Sequence, residues 1–193
     1  MTNQPGNSSA FEARGRALEE AFFKERDREL LAKLRGELES FEESKKLAHV
    51  SGIVQEQVLL NLVKAGIKAE TLAAIVTIPM VEVAWSDGAV SSAEKAAVLN
   101  AAAKQGLKPG TAPYELLERW LVDRPDSRIV AAWKEYVREL ATLMPKATIE
   151  AMHKDVIDRC VRVAEAAGGF VGIHRISKIE QATIDDFANV LKQ

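Results

Sequence analysis

The sequence has one cysteine, few aromatic residues and no excess of charge of either sign. A single thiol in 193 residues excludes an intramolecular disulfide and a Cys-rich zinc module. Lys and Arg number 26 and Asp and Glu 28, so no basic excess favours nucleic acid. No apolar run approaches the ~18 residues of a membrane span, and residues 1–10 lack the apolar stretch of a signal peptide. We therefore expect a cytoplasmic protein without a nucleic-acid partner or membrane insertion.

The N-terminal quarter differs in composition from the rest. Residues 1–10 are small and polar and predict a disordered tail, and residues 11–48 predict a charged amphipathic helical arm. This arm has two interpretations: it docks on its own domain, or residues 11–46 associate with a second subunit or another protein. Its apolar residues form a narrow stripe: Leu18, Phe22, Leu30, Leu34, Leu38 and Phe41.

Residues 49–193 contain repeated helix-ending signals, which predict a series of short helices. Gly52, Gly66 and Gly106 each precede a branched apolar residue, which is typical of a helix that ends on a left-handed glycine. Residues 73–85 are apolar enough for a buried strand, but Pro79 argues against one and favours two short buried helices. We predict an all-α, compact helical bundle plus the long charged N-terminal helix.

Two segments of this domain repeat one pattern. Val83-Ala84 and Val163-Ala164 are each followed by a glycine and then by Ser-x-x-Glu. Ser-x-x-Glu is a capping box, in which serine and glutamate bond to each other's backbone N–H groups. The pattern therefore predicts two helix–turn–helix corners, related as a pseudo-repeat, which end at Glu94 and Glu180 respectively.

The first corner, Ala84 to Glu94, resembles the signature of tellurite-resistance TerB-like domains, and residues 172–180 resemble the family's second turn. The resemblance covers residues from about Gly52 onward. It implies a compact helical bundle and an association with stress response. It also implies divalent-metal binding through acidic residues near these turns, where Asp87, Glu94 and Glu180 match. Ala167 stands in the place of Asp87 in the second repeat, so a symmetric site is not expected.

The candidate metal ligands are carboxylates on or near the two corners. Asp87 to Glu94 also matches the second half of an EF-hand loop, but Val83 and Trp85 occupy ligand positions of the first half. The alternative is that Ser91 and Glu94 only cap a helix. If the corners converge, a divalent cation such as calcium would relieve the repulsion between their carboxylates. The predicted ligands are Asp87, Glu94, Glu180, Glu82 and Glu165.

No nucleophile motif, phosphate loop or dinucleotide fingerprint occurs in the sequence. We therefore favour a non-enzymatic, stress-response-associated or scaffold module of the TerB-like type. Two alternatives stay open. One is a carboxylate- or metal-dependent enzyme that acts on a small molecule, and the other is a helical adaptor that acts through its N-terminal arm.

Overall fold

The structure is a computed structural model that describes residues 6–167 and 176–190, with the side chains of residues 14, 22, 24–166 and 176–190. These residues form eight α-helices, one 3₁₀ helix and no strand, so the all-α prediction is confirmed. The elements are α1 (Gly6–Ser51), α2 (Glu56–Lys64), a 3₁₀ helix (Ala69–Thr77), α3 (Ile78–Ala84), α4 (Ser92–Lys104), α5 (Ala112–Trp120), α6 (Ser127–Leu143), α7 (Lys146–Ala167) and α8 (Lys178–Val190).

The chain divides into two compact units. The first runs to Glu42 and consists of most of α1. From here on, the arm means residues 6–42, which differ from the predicted bounds of 11–48. The second starts at Glu43 and contains the end of α1 and all later elements; we call it the body. Because α1 begins at Gly6, residues 6–10 of the predicted tail are helical, and residues 1–5 lie outside the described residues.

Glycines end helices in the body, as the sequence predicts. Gly52, Gly66 and Gly106 have φ angles of 72°, 84° and 91°, which a residue with a Cβ rarely adopts. The residue after each glycine is buried: Ile53 and Ile67 completely, and Leu107 almost so. Each turn therefore returns an apolar side chain to the core, which fixes the direction of the next element.

The apolar stretch between residues 69 and 84 is helical throughout. The 3₁₀ helix passes directly into α3 at Ile78, and Pro79 stands in the first turn of α3, where a missing N–H costs nothing. Every residue of α3 is buried. The prediction of two short buried helices in place of a strand is confirmed.

The repeated segments form two helical hairpins, α3–α4 and α7–α8. Helix α3 packs against α7 and α8, and α4 packs against α7, so the hairpins share one core. Their Val-Ala pairs are buried at this contact. The 3₁₀ helix packs on α5, and α6 packs on α2. The largest fully buried side chains are Trp133 and Phe187, whose rings meet edge to face with centroids 5.1 Å apart.

No helix among the described residues combines the length and the apolarity that crossing a bilayer requires.

Candidate functional site

Both predicted capping boxes are present. At the first corner, the Ser91 N–H donates to Glu94 Oε2 at 2.8 Å, and the Glu94 N–H donates to Ser91 Oγ at 3.2 Å. At the second corner, the Ser177 N–H donates to Glu180 Oε2 at 2.6 Å, and the Glu180 N–H donates to Ser177 Oγ at 3.1 Å. Both glutamates are almost fully buried, so each carboxylate has a structural role at the start of its helix.

Asp87 lies in the exposed turn before α4. Its Oδ1 accepts a hydrogen bond from the Ala89 N–H at 3.2 Å, and Gly88 follows with a φ of 96°. This bond is typical of an aspartate that stabilises its own turn. The Asp87 residue is exposed to solvent.

The two corners influence each other electrostatically. Burial raises the pKa of Glu94, its hydrogen bonds with Ser91 lower it, and the negative charges of Asp87 and Glu180 raise it further. The proximity of the Glu180 corner to Asp87 and Glu94 stays a prediction. Asp87 is the exposed one of these three carboxylates, whereas Glu94 and Glu180 are buried.

Glu82 has a different environment. It is buried in α3, and its Oε2 accepts a hydrogen bond from Arg124 Nη2 at 2.8 Å. Arg124 lies in the connection between α5 and α6, and about half of its side chain is exposed. Because a buried carboxylate needs a partner, Arg124 accounts for Glu82 without a metal ion. Sequence reasoning missed this pair, since 42 positions separate its members and no local pattern connects them.

A cavity of about 570 Å³ lies beside this ion pair. Lys134 of α6 also lines it, and its Nζ forms an ion pair with Asp186 Oδ2 of α8 at 2.7 Å. Both cationic side chains that line the cavity, Arg124 and Lys134, therefore have acidic partners. Its other lining residues are Pro125, Ser127, Val130 and Ala131.

Glu165, the last of the predicted ligands, is half-buried in α7 and has no hydrogen bond or ion pair among the described residues. Within those residues, no three His, Cys, Asp or Glu side chains lie close enough to hold a metal ion. The structure thus gives Glu94 and Glu180 capping roles and gives Glu82 a separate partner. The metal site stays a prediction.

Helix α7 carries the single thiol, Cys160, and a histidine, His153, and both side chains pack within the body. Cys160 is fully buried, and burial raises the pKa of its thiol to about 12, so it stays protonated at neutral pH. His153 lies two turns earlier, and its Nε2 is 3.0 Å from the Ala188 carbonyl oxygen of α8. His174 lies outside the described residues.

Comparison with known proteins found no match among family models, curated proteins or solved structures.

Proposed function

We propose that this protein is a helical scaffold or adaptor that self-associates through its arm. The observation that carries the proposal is a row of exposed leucines on α1. Leu31, Leu34 and Leu38 are 63 %, 51 % and 60 % exposed, although leucine is among the residues most often buried. Contiguous exposed apolar surface on a folded protein is typical of an interaction site.

The spacing of these residues is that of a coiled-coil seam. Leu31, Leu34, Leu38 and Phe41 follow one another at intervals of 3, 4 and 3 residues, and Phe41 is 43 % exposed. Intervals of this kind place apolar side chains along one line of a helix, where a second helix can cover them. The seam spans about two heptads, so we expect a weak association with a dissociation constant on the order of micromolar.

The charges of the arm favour a second copy of the chain in the antiparallel orientation. Residues 30–35 carry two basic and no acidic side chains, whereas residues 37–42 carry three acidic and no basic ones. A parallel pair would place the acidic segments side by side. An antiparallel pair centred near Gly36 places Glu37 and Glu39 of one copy opposite Arg35 and Lys33 of the other. It also sets Leu34 of one copy against Leu38 of the other.

The test is sedimentation velocity of the full chain over a range of concentrations. The double substitution Leu34→Glu/Leu38→Glu should leave a monomer at concentrations where the wild type associates. The matched control is Ala32→Glu, which adds the same side chain on the opposite face of α1 and should leave the association unchanged. A wild type that stays monomeric throughout, or a control that dissociates equally, would contradict the proposal.

The orientation has its own test. Because Cys160 is buried and protonated, a thiol introduced by Arg26→Cys accepts a spin label selectively. In the antiparallel pair position 26 lies opposite position 46, so the two labels are separated by about 30 Å along the axis. A parallel pair would bring them to about 10 Å. Electron–electron distance measurement distinguishes these arrangements.

We propose a second function for the body, a divalent-cation response of the TerB-like type, on the interaction of the Asp87, Glu94 and Glu180 charges. The stress-response association comes from the resemblance alone. Excess calcium should raise the melting temperature of the wild type relative to a chelator, since a bound cation stabilises the folded state by mass action. Asp87→Ala should abolish this shift, and Asp123→Ala, an exposed aspartate elsewhere, should keep it. A wild type without any calcium-dependent shift would exclude this function.

A further inference from the structure

A groove between α4 and α7 is lined by three basic side chains. Lys104 comes from the last turn of α4, and Arg159 and Arg162 come from neighbouring turns of α7. The groove has a volume of about 430 Å³, which lies within the range of small-molecule sites. No acidic side chain among the described residues lines it. The rest of its lining is neutral: Ala97, Asn100, Ala101 and Val163.

The positive charge of this groove is only partly compensated. Arg159 forms an ion pair with Asp155 one turn earlier on α7, and its side chain is only 21 % exposed, so it is held in place. Lys104 and Arg162 are exposed and have no ion-pair partner within residues 24–166 and 176–190. After the charge of Asp155 is subtracted, two positive charges face one groove. An anion bound between α4 and α7 would relieve their repulsion.

The donors suit a phosphate group better than a single carboxylate. A guanidinium can donate two parallel hydrogen bonds to a phosphate, and a lysine adds a point charge beside it. The residual charge of the groove matches a doubly charged phosphate ester. Asn100 contributes an amide, and Ala97 and Ala101 leave room for the organic part of a ligand, because their side chains are small.

An unsatisfied amide lies just after the end of α4, outside the lining of the groove. Both side-chain amide atoms of Gln105 are shielded from solvent and have no hydrogen-bond partner among the described residues. Gln105 follows Ala101 by four positions, so it continues the row of Ala97 and Ala101 by one turn. A shielded amide without partners is destabilising. Because Gln105 does not line the groove, the proposed site does not include this amide.

We propose that the α4–α7 groove binds a small phosphate-bearing molecule, whose phosphate contacts Lys104, Arg159 and Arg162. In contrast to a nucleic-acid surface, the groove is short and the protein as a whole is slightly acidic. The site lies entirely in the body, so the proposal does not depend on self-association of the arm.

The test is calorimetric titration of the full chain with inorganic pyrophosphate at constant ionic strength. The wild type should bind saturably with one site per chain. Arg162→Gln and Lys104→Gln should each raise the dissociation constant at least tenfold. Asn100→Asp, which introduces a carboxylate at the lining, should weaken binding to a similar extent. The matched control is Lys154→Gln, which removes an exposed charge of α7 outside the groove and should leave the dissociation constant unchanged.

Circular dichroism melts without pyrophosphate should superimpose for all four variants, because the altered side chains are exposed. Three results would overturn the proposal. The first is a wild type without saturable binding. The second is equal weakening in Lys154→Gln, which would indicate non-specific charge attraction. The third is tighter binding of a single-stranded oligonucleotide, with an affinity that increases with its length, which would indicate a nucleic-acid surface.

Discussion

Leu38 and Leu47 are the same residue type in the same helix, yet their environments are opposite. Leu38 lies in the arm and is 60 % exposed, whereas Leu47 lies in the body and is fully buried. Ser44, a polar residue one turn before Leu47, is buried as well. The helical pattern of α1 therefore identifies apolar positions along its whole length, but it does not say which of them the monomer covers.

The arm and the body also differ in the interactions that stabilise their helices. In the body, tertiary packing stabilises the helices, and the side chains of Ile78, Val81 and Ile184 are almost inaccessible. The described charges of the arm form local pairs, such as Arg28 with Glu25 at 2.8 Å, that are exposed and contribute little. We therefore expect core substitutions to unfold the body, and arm substitutions to change association or local helicity only. A truncation that separates the two units should start after Glu42, because Ser44 and Leu47 belong to the core.

The largest expected effect is that of Trp133→Ala in the body. Trp133 is 2 % exposed and its ring contacts Phe187, so its removal leaves a large cavity. We expect the free energy of unfolding to fall by about 3–5 kcal/mol. Chemical denaturation followed by circular dichroism measures this, with Leu34→Ala in the arm as the comparison. A comparable loss for Leu34→Ala would contradict the separation of arm and body.

A smaller loss is expected for Arg124→Ala. This change leaves the Glu82 carboxylate buried without its partner, but Arg124 is about half exposed, so water can replace part of the interaction. We expect a loss of about 1–2 kcal/mol. In a double-mutant cycle, Arg124→Ala should lower the free energy of unfolding by less in the Glu82→Gln background than in the wild type. Additive effects of the two substitutions would show that the ion pair does not stabilise the body.

The capping boxes should each contribute about 1 kcal/mol, so Ser91→Ala and Ser177→Ala should lower the stability of the body by similar amounts. Ser92→Ala is the matched control, because this neighbouring serine lies within the first turn of α4 and makes no described capping bond. Thermal melts of the three variants measure the effect. If Ser92→Ala is as destabilising as Ser91→Ala, the capping interpretation is wrong.

In the arm, Gly36→Ala should stabilise α1. A Cβ at position 36 meets no atom within 4 Å, and Gly36 lies inside the helix, where glycine is disfavoured by about 0.5–1 kcal/mol relative to alanine. Amide hydrogen exchange should slow in the arm and stay unchanged in the body. Slower exchange throughout the body would mean that the two units unfold together.

The smallest expected effect is a pH dependence at Glu94. Its folded-state pKa is raised from 4.5, so its contribution to stability is present below that pH and is lost as the pH rises through the raised pKa. Glu94→Gln should remove this component, and the difference between wild type and variant should change within this window. Glu43, whose pKa is lowered chiefly by a hydrogen bond from the Ala69 N–H, acts in the opposite direction. If the difference in unfolding free energy between the wild type and Glu94→Gln does not vary with pH, the pKa of Glu94 is not raised.

The two capping boxes could be predicted from the sequence, because a capping box involves residues three positions apart. Ser91, Glu94, Ser177 and Glu180 therefore make the bonds that their spacing implies. Reasoning from the sequence assigned Glu82 to the same acidic region, whereas Arg124 pairs with it from a distant connection. The groove of Lys104, Arg159 and Arg162 had no sequence signal, because it depends on the packing of α4 on α7.

Local chemistry specified the helices, their glycine ends and their caps, since each depends on backbone and side-chain preferences within a few residues. Folding of the whole chain decided which charges became partners and which apolar faces became core. Leu47 is buried and Leu38 exposed, and Glu82 is paired while Arg162 faces an open groove. These differences depend on surfaces that come from elements far apart in the sequence, and helical periodicity contains no information about distant surfaces.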